Sequence, residues 1–242
     1  MKSRLRAVGL EKIYAGKKVV NGVTVEFGQG EVIGLLGPNG AGKTTTFSML
    51  VGLISQDAGK IFLDDEEITG TPMYLRAQKG ICLLPQDSSA FRMLSVEANL
   101  LAIMEVTSES GPQTREEASR LLREFGLEKV AKSRAVTLSG GERRRLEIAR
   151  AMVTRPEFIL LDEPFTGIDP LATQDLQEII LSLKERGLGV VVTDHNVRDT
   201  LKITDRAYII DKGEILMEGK PQELVNSEVV KKHYLGEEFR LS

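Results

Sequence analysis

Short apolar runs alternate with turn residues along the first part of the chain, a pattern typical of β-strands. The runs begin near Arg4, Val19, Val23, Val32, Gly59 and Gly80. The run Val32–Leu36 has no polar member, as in a strand covered on both faces of a parallel sheet. Asn21-Gly22 separates Val19-Val20 from Val23–Phe27, which indicates either a turn or a bulge there.

From about Phe91 to Val153 the spacing of apolar residues becomes helical. Four of them recur at intervals of three and four: Ala118, Leu121, Leu122 and Phe125. Ser95 is expected to cap one helix, and Thr114 with Glu117 to form the capping box of the next. The segment is therefore predicted to be a helical insertion between two strands of a sheet.

After residue 154 strands and helices alternate, as in α/β proteins. Phe158–Asp162 and the run from Gly189 to His195 are predicted to be buried strands, with an amphipathic helix between them. A hairpin is predicted from Asp205 to Met217, followed by two short helices and a polar tail. Together these elements predict an α/β fold with a mostly parallel core sheet.

A glycine-rich loop joins the strand Val32–Leu36 to a predicted helix, which is the context that a phosphate-binding loop requires. Its residues are Gly37, Pro38, Asn39, Gly40, Ala41, Gly42, Lys43, Thr44 and Thr45. The glycines allow backbone N–H groups to turn inward around an anion, and the helix adds its positive end. Lys43 is expected to reach the β- and γ-phosphates, and Thr44 to hold Mg²⁺ through its hydroxyl.

Polar side chains follow three predicted strands, at the edge where parallel sheets bind ligands. Asp162 is placed to bind the Mg²⁺ shell, and Glu163 to polarise an attacking water. Gln86 could ligate Mg²⁺ through its oxygen and orient water through its NH₂, although taken alone the residue is better interpreted as a loop glutamine. His195 lies on the same predicted edge as Glu163, which favours a catalytic role over a structural one.

The segment Leu138 to Ala151 predicts a second helix terminus able to bind an anion. Ser139 is a good N-cap, and the two glycines after it allow close approach. The three arginines at positions 143–145 are interpreted as the solvated face of this helix. Tyr14 is predicted to lie in the loop Lys12–Gly16, where it either stacks on a purine or is a half-buried loop residue.

Composition restricts the function. The 242 residues carry a net charge of −3, without the basic excess usual in nucleic-acid binders. The single cysteine, Cys82, excludes an internal disulfide and agrees with a reducing compartment. We expect no signal peptide and no membrane span, because no apolar run is long enough.

In this order and spacing, the motifs resemble those of the nucleotide-binding subunits of ABC transporters, over essentially the whole chain. The motifs are a Walker A loop at 37–44, a Q-loop at Gln86, the signature Leu138–Glu142, Walker B at Phe158–Asp162, a D-loop with Asp169, and an H-loop at His195. The resemblance implies that ATP and Mg²⁺ are bound, with Tyr14 on the adenine. It also implies that two copies pack head to tail as an ATP-sandwich homodimer. In that dimer Ser139, Gly140, Gly141, Glu142 and Asp169 of one copy would complete the site of the other.

The resemblance implies a single ATPase domain over residues 1–242. Residues 1–90 and 155–242 would form a RecA-like core with an antiparallel β subdomain and C-terminal helices. Residues 91–154 would form a helical subdomain that carries the signature.

Within the family the chain looks most like the ATPases of lipopolysaccharide export. Phe91-Arg92 and the tail Tyr234–Leu241 carry this likeness, although ATPases of branched-chain amino-acid importers are similar in many places. A soluble ABC ATPase outside transport is a third reading, disfavoured by the single cassette. The likeness implies docking of transmembrane permease subunits near Phe91 and Arg92, no nucleic-acid partner, and a peripheral location on the cytoplasmic face of the inner membrane.

Overall fold

The computed structural model describes residues 2–107 and 112–235. The tail residues Gly236–Leu241, which contributed to the resemblance, lie outside the described part of the chain. Within that part, no helix is both long enough and apolar enough to cross a membrane.

The described strands form two sheets. They are β1 Arg4–Tyr14, β2 Lys17–Gly28, β3 Val32–Leu36, β4 Ala58–Leu63, β5 Glu66–Glu67, β6 Ile81–Leu84, β7 Phe158–Asp162, β8 Gly189–Thr193, β9 Arg206–Asp211 and β10 Glu214–Gly219. The first sheet has the order β2-β1-β4-β5 and is antiparallel. The second has the order β10-β9-β3-β8-β7-β6 and is parallel except for the β9–β10 hairpin. The predicted fold class is confirmed.

Helices cover the core sheet and form the insertion between β6 and β7. They are α1 Lys43–Leu50, α2 Met73–Gln78, α3 Val96–Thr107, α4 Pro112–Glu124, α5 Gly140–Met152, α6 Pro170–Glu185, α7 Val197–Ile203, α8 Pro221–Asn226 and α9 Glu228–Val230, after which a π-helical turn spans Lys231–Leu235. Strands β3, β7 and β8 are buried along their whole length, which explains their unbroken apolar sequences.

In the β region the structure decides between two alternatives at Asn21-Gly22 and corrects the placement of Tyr14. Asn21-Gly22 does not separate two strands, because β2 runs through it and the pairing with β1 shifts register on that stretch. Gly22 has a φ of 70°, and the register shift agrees with the predicted alternative of a bulge rather than with a turn. Tyr14 is the last residue of β1 rather than a loop residue, and the hairpin turn is made by Ala15-Gly16.

The helix caps also differ from expectation in one place. Ser95 caps α3 as predicted, with its hydroxyl accepting a hydrogen bond from the Ala98 amide at 3.1 Å. The capping box at Thr114 is wrong, because α4 already begins at Pro112. Proline is common at the first position of a helix, and here that signal outweighed the capping pattern.

Candidate nucleotide site

The glycine-rich loop joins β3 to α1, and two of its glycines are required by the backbone. A Cβ on Gly37 would lie 2.0 Å from the carbonyl oxygen of Ile210. Gly42, at the N-cap of α1, has a φ of 106°, and its Cβ would meet the Val19 carbonyl oxygen at 2.8 Å. The loop therefore wraps closely around its neighbours and leaves the N-terminus of α1 without a side-chain cap.

Lys43 is folded back into this loop. Its ammonium donates to the carbonyl oxygens of Gly37 at 2.7 Å and Pro38 at 3.0 Å, and the side chain is buried. Burial lowers the pKa of Lys43, while the carboxylates of Glu163, Asp162 and Asp194 act in the opposite direction. The cation is thus held inside the loop opposite three carboxylates.

An open cavity of about 530 Å³ lies against the loop. It is lined by Val19, Asn39, Gly40, Gly42, Lys43, Thr44, Thr45, Gln86, Glu163, Thr166 and His195. Most residues that the sequence pointed to at this sheet edge are therefore brought together. Val19 and Thr166 belong to no chemical motif, so no sequence pattern placed them in the cavity.

The Glu163 carboxylate is the point where the polar contacts of the cavity converge. Its Oε2 accepts hydrogen bonds from Gln86 Nε2 and Thr166 Oγ1, each at 3.1 Å. His195 Nδ1 lies 3.3 Å from the same oxygen. Glu163 has a φ of 47°, a left-handed conformation that is uncommon for a residue with a side chain. Such strain is found most often at functional sites.

Thr44 and Asp162 supply oxygen atoms suited to Mg²⁺. The Thr44 hydroxyl lies 3.4 Å from Asp162 Oδ1, which also accepts a 2.6 Å hydrogen bond from Thr193. Among the described residues, no three acidic, histidine or cysteine side chains are grouped so as to hold an ion alone. A hydroxyl and one carboxylate match Mg²⁺ that is completed by phosphate oxygens and water. Gln86 instead donates to Glu163, as described above.

The signature residues do not line this cavity. Ser139 caps α5 in a capping box with Glu142, and hydrogen bonds from Ser139 hold the pKa of Glu142 below its usual range. Ser139 and Gly140 are exposed, so the helix terminus faces solvent. Asp169 caps α6 by accepting from the amides of Leu171 and Ala172, and it too lies outside the cavity lining.

The interpretation of the three arginines as a solvated face is wrong for Arg144. This side chain is buried and forms an ion pair with Glu147 at 2.9 Å. Its guanidinium also donates to the carbonyl oxygens of Pro85 at 3.0 Å and Asp162 at 3.3 Å. It thereby joins α5 to the ends of β6 and β7, a role that depends on tertiary contacts.

Phe91 and Arg92 are both exposed, as a docking surface requires. The Phe91 ring carries the guanidinium of Arg150 4.5 Å from its centroid. Tyr14 is 46% exposed and lies 5.5 Å from the Lys12 ammonium, but it is not among the described residues that line the cavity. Its adenine-stacking role stays a prediction.

Comparison with known proteins agrees with this geometry. Residues 20–166 match the family model for ABC transporters. The chain is 52% identical over 240 residues to the lipopolysaccharide export system ATP-binding protein LptB of Haemophilus influenzae, covering 99% of this chain and 100% of that protein. It is 50% identical to LptB of Escherichia coli K12, covering 98% of this chain and 99% of that one. A probable ABC transporter ATP-binding protein of Azorhizobium caulinodans is 55% identical, with 98% and 84% coverage.

The fold is shared with solved structures. The ADP conformation of MJ1267, an ATP-binding cassette of an ABC transporter, superimposes with a TM-score of 0.86 at 27% identity, covering 98% of this chain and 100% of that one. A nucleotide-free ATP-binding cassette from an ABC transporter gives a TM-score of 0.87 at the same identity and coverage. The chain therefore belongs to the ABC transporter family, as one of its ATP-hydrolysing cassettes.

Proposed function

We propose that this chain powers the extraction and export of lipopolysaccharide from the inner membrane by hydrolysing ATP. The observation that carries the proposal is an identity of 50–52% over nearly the whole chain to proteins named for lipopolysaccharide export. The alternative function is the ATPase subunit of a branched-chain amino-acid importer. A soluble ABC ATPase outside transport is a less favoured alternative. The chain would sit peripherally on the cytoplasmic face of that membrane.

The loop 37–45 would hold the triphosphate with its backbone amides, the N-terminus of α1 and the ammonium of Lys43. Thr44 and Asp162 would hold Mg²⁺, with Gln86 at its periphery. The ion, when bound, offsets negative charge on the β- and γ-phosphates. Tyr14 would contact the adenine.

Glu163 would act as the general base. Its carboxylate accepts a proton from water while the water oxygen bonds to the γ-phosphorus and the bond to the ADP oxygen breaks. Gln86, Thr166 and His195 all contact Glu163 Oε2, so they fix the direction of that carboxylate before water arrives. His195 would also contact the γ-phosphate.

A second copy would complete the site. The exposed N-terminus of α5, with Ser139, Gly140 and Gly141, is an unused anion-binding terminus on each copy. Glu142 and Asp169 would support this contact. The negative charge of ATP would then hold two acidic chains together, because it contacts a positive helix terminus on each of them. The pair would open after hydrolysis.

Permease subunits would detect that motion at a surface containing Phe91 and Arg92. We also propose that residues 1–242 form one ATPase domain. Residues 1–90 and 155–242 would make its core, and residues 91–154 its helical subdomain. No nucleic-acid partner is proposed, since the net charge is −3.

The hydrolytic role is tested with Glu163→Gln. We expect ATP binding to be retained and turnover to fall by about 10²- to 10⁴-fold, because the amide cannot accept the proton. Phosphate release and calorimetric ATP binding are measured on the same preparation. Near-normal turnover would remove Glu163 from the role of base.

The cargo is tested by reconstituting the chain with the permease that co-purifies with it from membranes. Transfer of lipopolysaccharide out of proteoliposomes on addition of ATP, absent with Glu163→Gln, is the expected result. ATP-driven uptake of leucine by the same vesicles would instead support the importer. Failure of any permease to co-purify would favour a soluble ATPase.

A further inference from the structure

Glu163 and His195 closely follow the last paired residues of two neighbouring strands. Strands β7 and β8 are paired in parallel as far as Asp162 and Thr193. Each catalytic candidate follows that last pair by one or two residues. The last bond of the ladder joins the Glu163 amide to the Thr193 carbonyl oxygen at 2.8 Å. Beyond it, the course of the two turns and the 3.3 Å approach of the side chains depend on further contacts.

Asp194 provides a contact between the two turns. Its Oδ2 accepts a hydrogen bond at 3.0 Å from the amide of Phe165, two residues after Glu163. Its Oδ1 accepts one at 2.8 Å from the amide of Asn196, the residue after His195. The side chain has 0% exposure, and His195 Nδ1 lies 3.5 Å from Oδ1. One buried carboxylate thus spans both turns and contacts the histidine.

Burying the Asp194 carboxylate disfavours its charged form, so its hydrogen bonds have to offset that free-energy cost. Burial raises the pKa of Asp194, while the two amides and the His195 ring act in the opposite direction. The like charge of Glu163 nearby adds to the cost. Each carboxylate oxygen accepts a hydrogen bond from a different backbone amide. A side chain with one acceptor oxygen could therefore satisfy only one of the two amides.

We propose that Asp194 is a positioning residue for hydrolysis, which sets the Glu163 turn and the His195 turn at their working separation. This inference rests on the proposed roles of Glu163 and His195 in ATP turnover. Asp194 itself touches neither nucleotide nor water in this scheme. Its absence would leave the nucleotide cradle intact and misplace the groups that act on the γ-phosphate.

Asp194→Asn tests this directly, since an amide keeps one acceptor oxygen and turns an NH₂ group toward the second N–H donor. We expect kcat to fall by about 10- to 100-fold, the size of a misplacement of about 1 Å. ATP affinity from calorimetry, measured without hydrolysis in the Glu163→Gln background, is expected to change by less than about threefold. This split between kcat and affinity distinguishes positioning from a general loss of structure.

Thr200→Val is the matched control. Thr200, in α7, is also fully buried, and its hydroxyl donates to the Asn196 carbonyl oxygen at 3.0 Å without joining the two turns. We expect its kcat to stay within about twofold of the unmodified chain. An equal fall in kcat for both variants, or a parallel fall in kcat and affinity for Asp194→Asn, would overturn the proposal.

Rates are expressed per nucleotide-binding molecule, so partial unfolding does not imitate a catalytic defect. If Asp194→Asn yields no folded protein, Asp194→Ser, which is smaller and also has a single acceptor oxygen, replaces it with the same expectations. Unchanged kcat in a folded variant would refute the positioning role. Glu163→Gln separates the two hypotheses: if it retains turnover the proposed chemistry fails, whereas if it is inactive and Asp194→Asn is normal, only this inference fails.

Discussion

At the scale of single residues, the Lys43 ammonium is held in the glycine-rich loop by neutral groups. Lys43 is buried and its ammonium has only the Gly37 and Pro38 carbonyl oxygens as hydrogen-bond partners among the described residues. These are neutral acceptors, which phosphate oxygens can replace with stronger, charge-assisted bonds.

Lys43→Ala should therefore weaken ATP binding itself. Losing a charge-assisted contact costs about 1.5–3 kcal/mol, or about 10- to 100-fold in affinity. Isothermal titration with ATP measures it. Lys17→Ala, at an exposed lysine outside the cavity lining, is the control and should bind as before. Unchanged affinity in Lys43→Ala would contradict the assignment of the loop.

Tyr14→Ala should lower nucleotide affinity by about 1 kcal/mol through the loss of ring stacking. Tyr74→Ala is a matched control, because Tyr74 is 63% exposed and also outside the cavity lining. Equal ATP affinities for both variants would mean that Tyr14 is simply a partly exposed residue at the end of β1.

Cys82 gives a pH prediction. Burial raises the pKa of its thiol to about 11 from an ordinary value of 9.0. The neutral thiol is favoured in the folded chain, so its contribution to stability is complete below pH 9 and is lost as pH rises toward 11. The unfolding free energy of the unmodified chain relative to Cys82→Ala should fall by about 2 kcal/mol over that interval. Urea titrations of both chains at pH 8 and 11 measure this difference in unfolding free energy. The same difference at both pH values would contradict the raised pKa of the Cys82 thiol.

Residues that belong to a recognisable local motif could be located from the sequence alone. The motifs at the ends of β3 and β7 contain Lys43, Thr44, Asp162 and Glu163, and a parallel sheet brings such strand ends to one edge. Thr166 and Asp194 could not be found in this way. Their roles come from hydrogen bonds between segments about 30 residues apart in sequence, at Phe165–Asp194 and Thr166–His195.

At the scale of elements, helix α5 connects the signature segment to the ends of β6 and β7. The buried guanidinium of Arg144 joins it to the Pro85 and Asp162 carbonyl oxygens, and Glu147 accepts from the Ser89 amide at 3.2 Å. Movement of this helix would therefore act on the Q-loop and on the end of β7 together. A sequence pattern of three arginines cannot distinguish this buried member from its half-exposed neighbours.

Arg144→Met should lower the unfolding free energy by about 3–5 kcal/mol, because it leaves the Glu147 charge buried without its partner. Arg144→Met with Glu147→Leu should recover only part of this, since the two carbonyl oxygens still lack their donor. The control Arg145→Met breaks an ion pair to the exposed Asp175 and should cost less than about 1 kcal/mol. Urea unfolding compares them, and full recovery in the double variant would contradict a role for the carbonyl contacts.

Helix termini show where local signals succeed and where they compete. Ser139 and Glu142 make the capping box that their spacing favours. Thr114 and Glu117 have the same spacing, but α4 begins earlier at Pro112, so the pattern lies inside a helix.

At the scale of the whole molecule, one copy has two helix N-termini for which anion binding is proposed, and among the described residues they do not share a cavity. The α1 terminus borders the cavity, while the α5 terminus is exposed and outside its lining. Each terminus contributes only about 0.3–2 kcal/mol toward an anion. Under the proposed shared site, ATP would have to engage both termini at once to hold two chains together, and we expect association to depend on unhydrolysed nucleotide.

Light scattering after gel filtration of Glu163→Gln tests this central claim most directly, because the variant should bind ATP without consuming it. With ATP and Mg²⁺ we expect the mass of two chains, and without nucleotide the mass of one. Glu163→Gln with Ser139→Arg, which places a bulky side chain at the exposed α5 terminus, should bind ATP and remain a single chain. A single-chain mass for Glu163→Gln with ATP, or pairing that the Ser139 change leaves intact, would contradict the shared site.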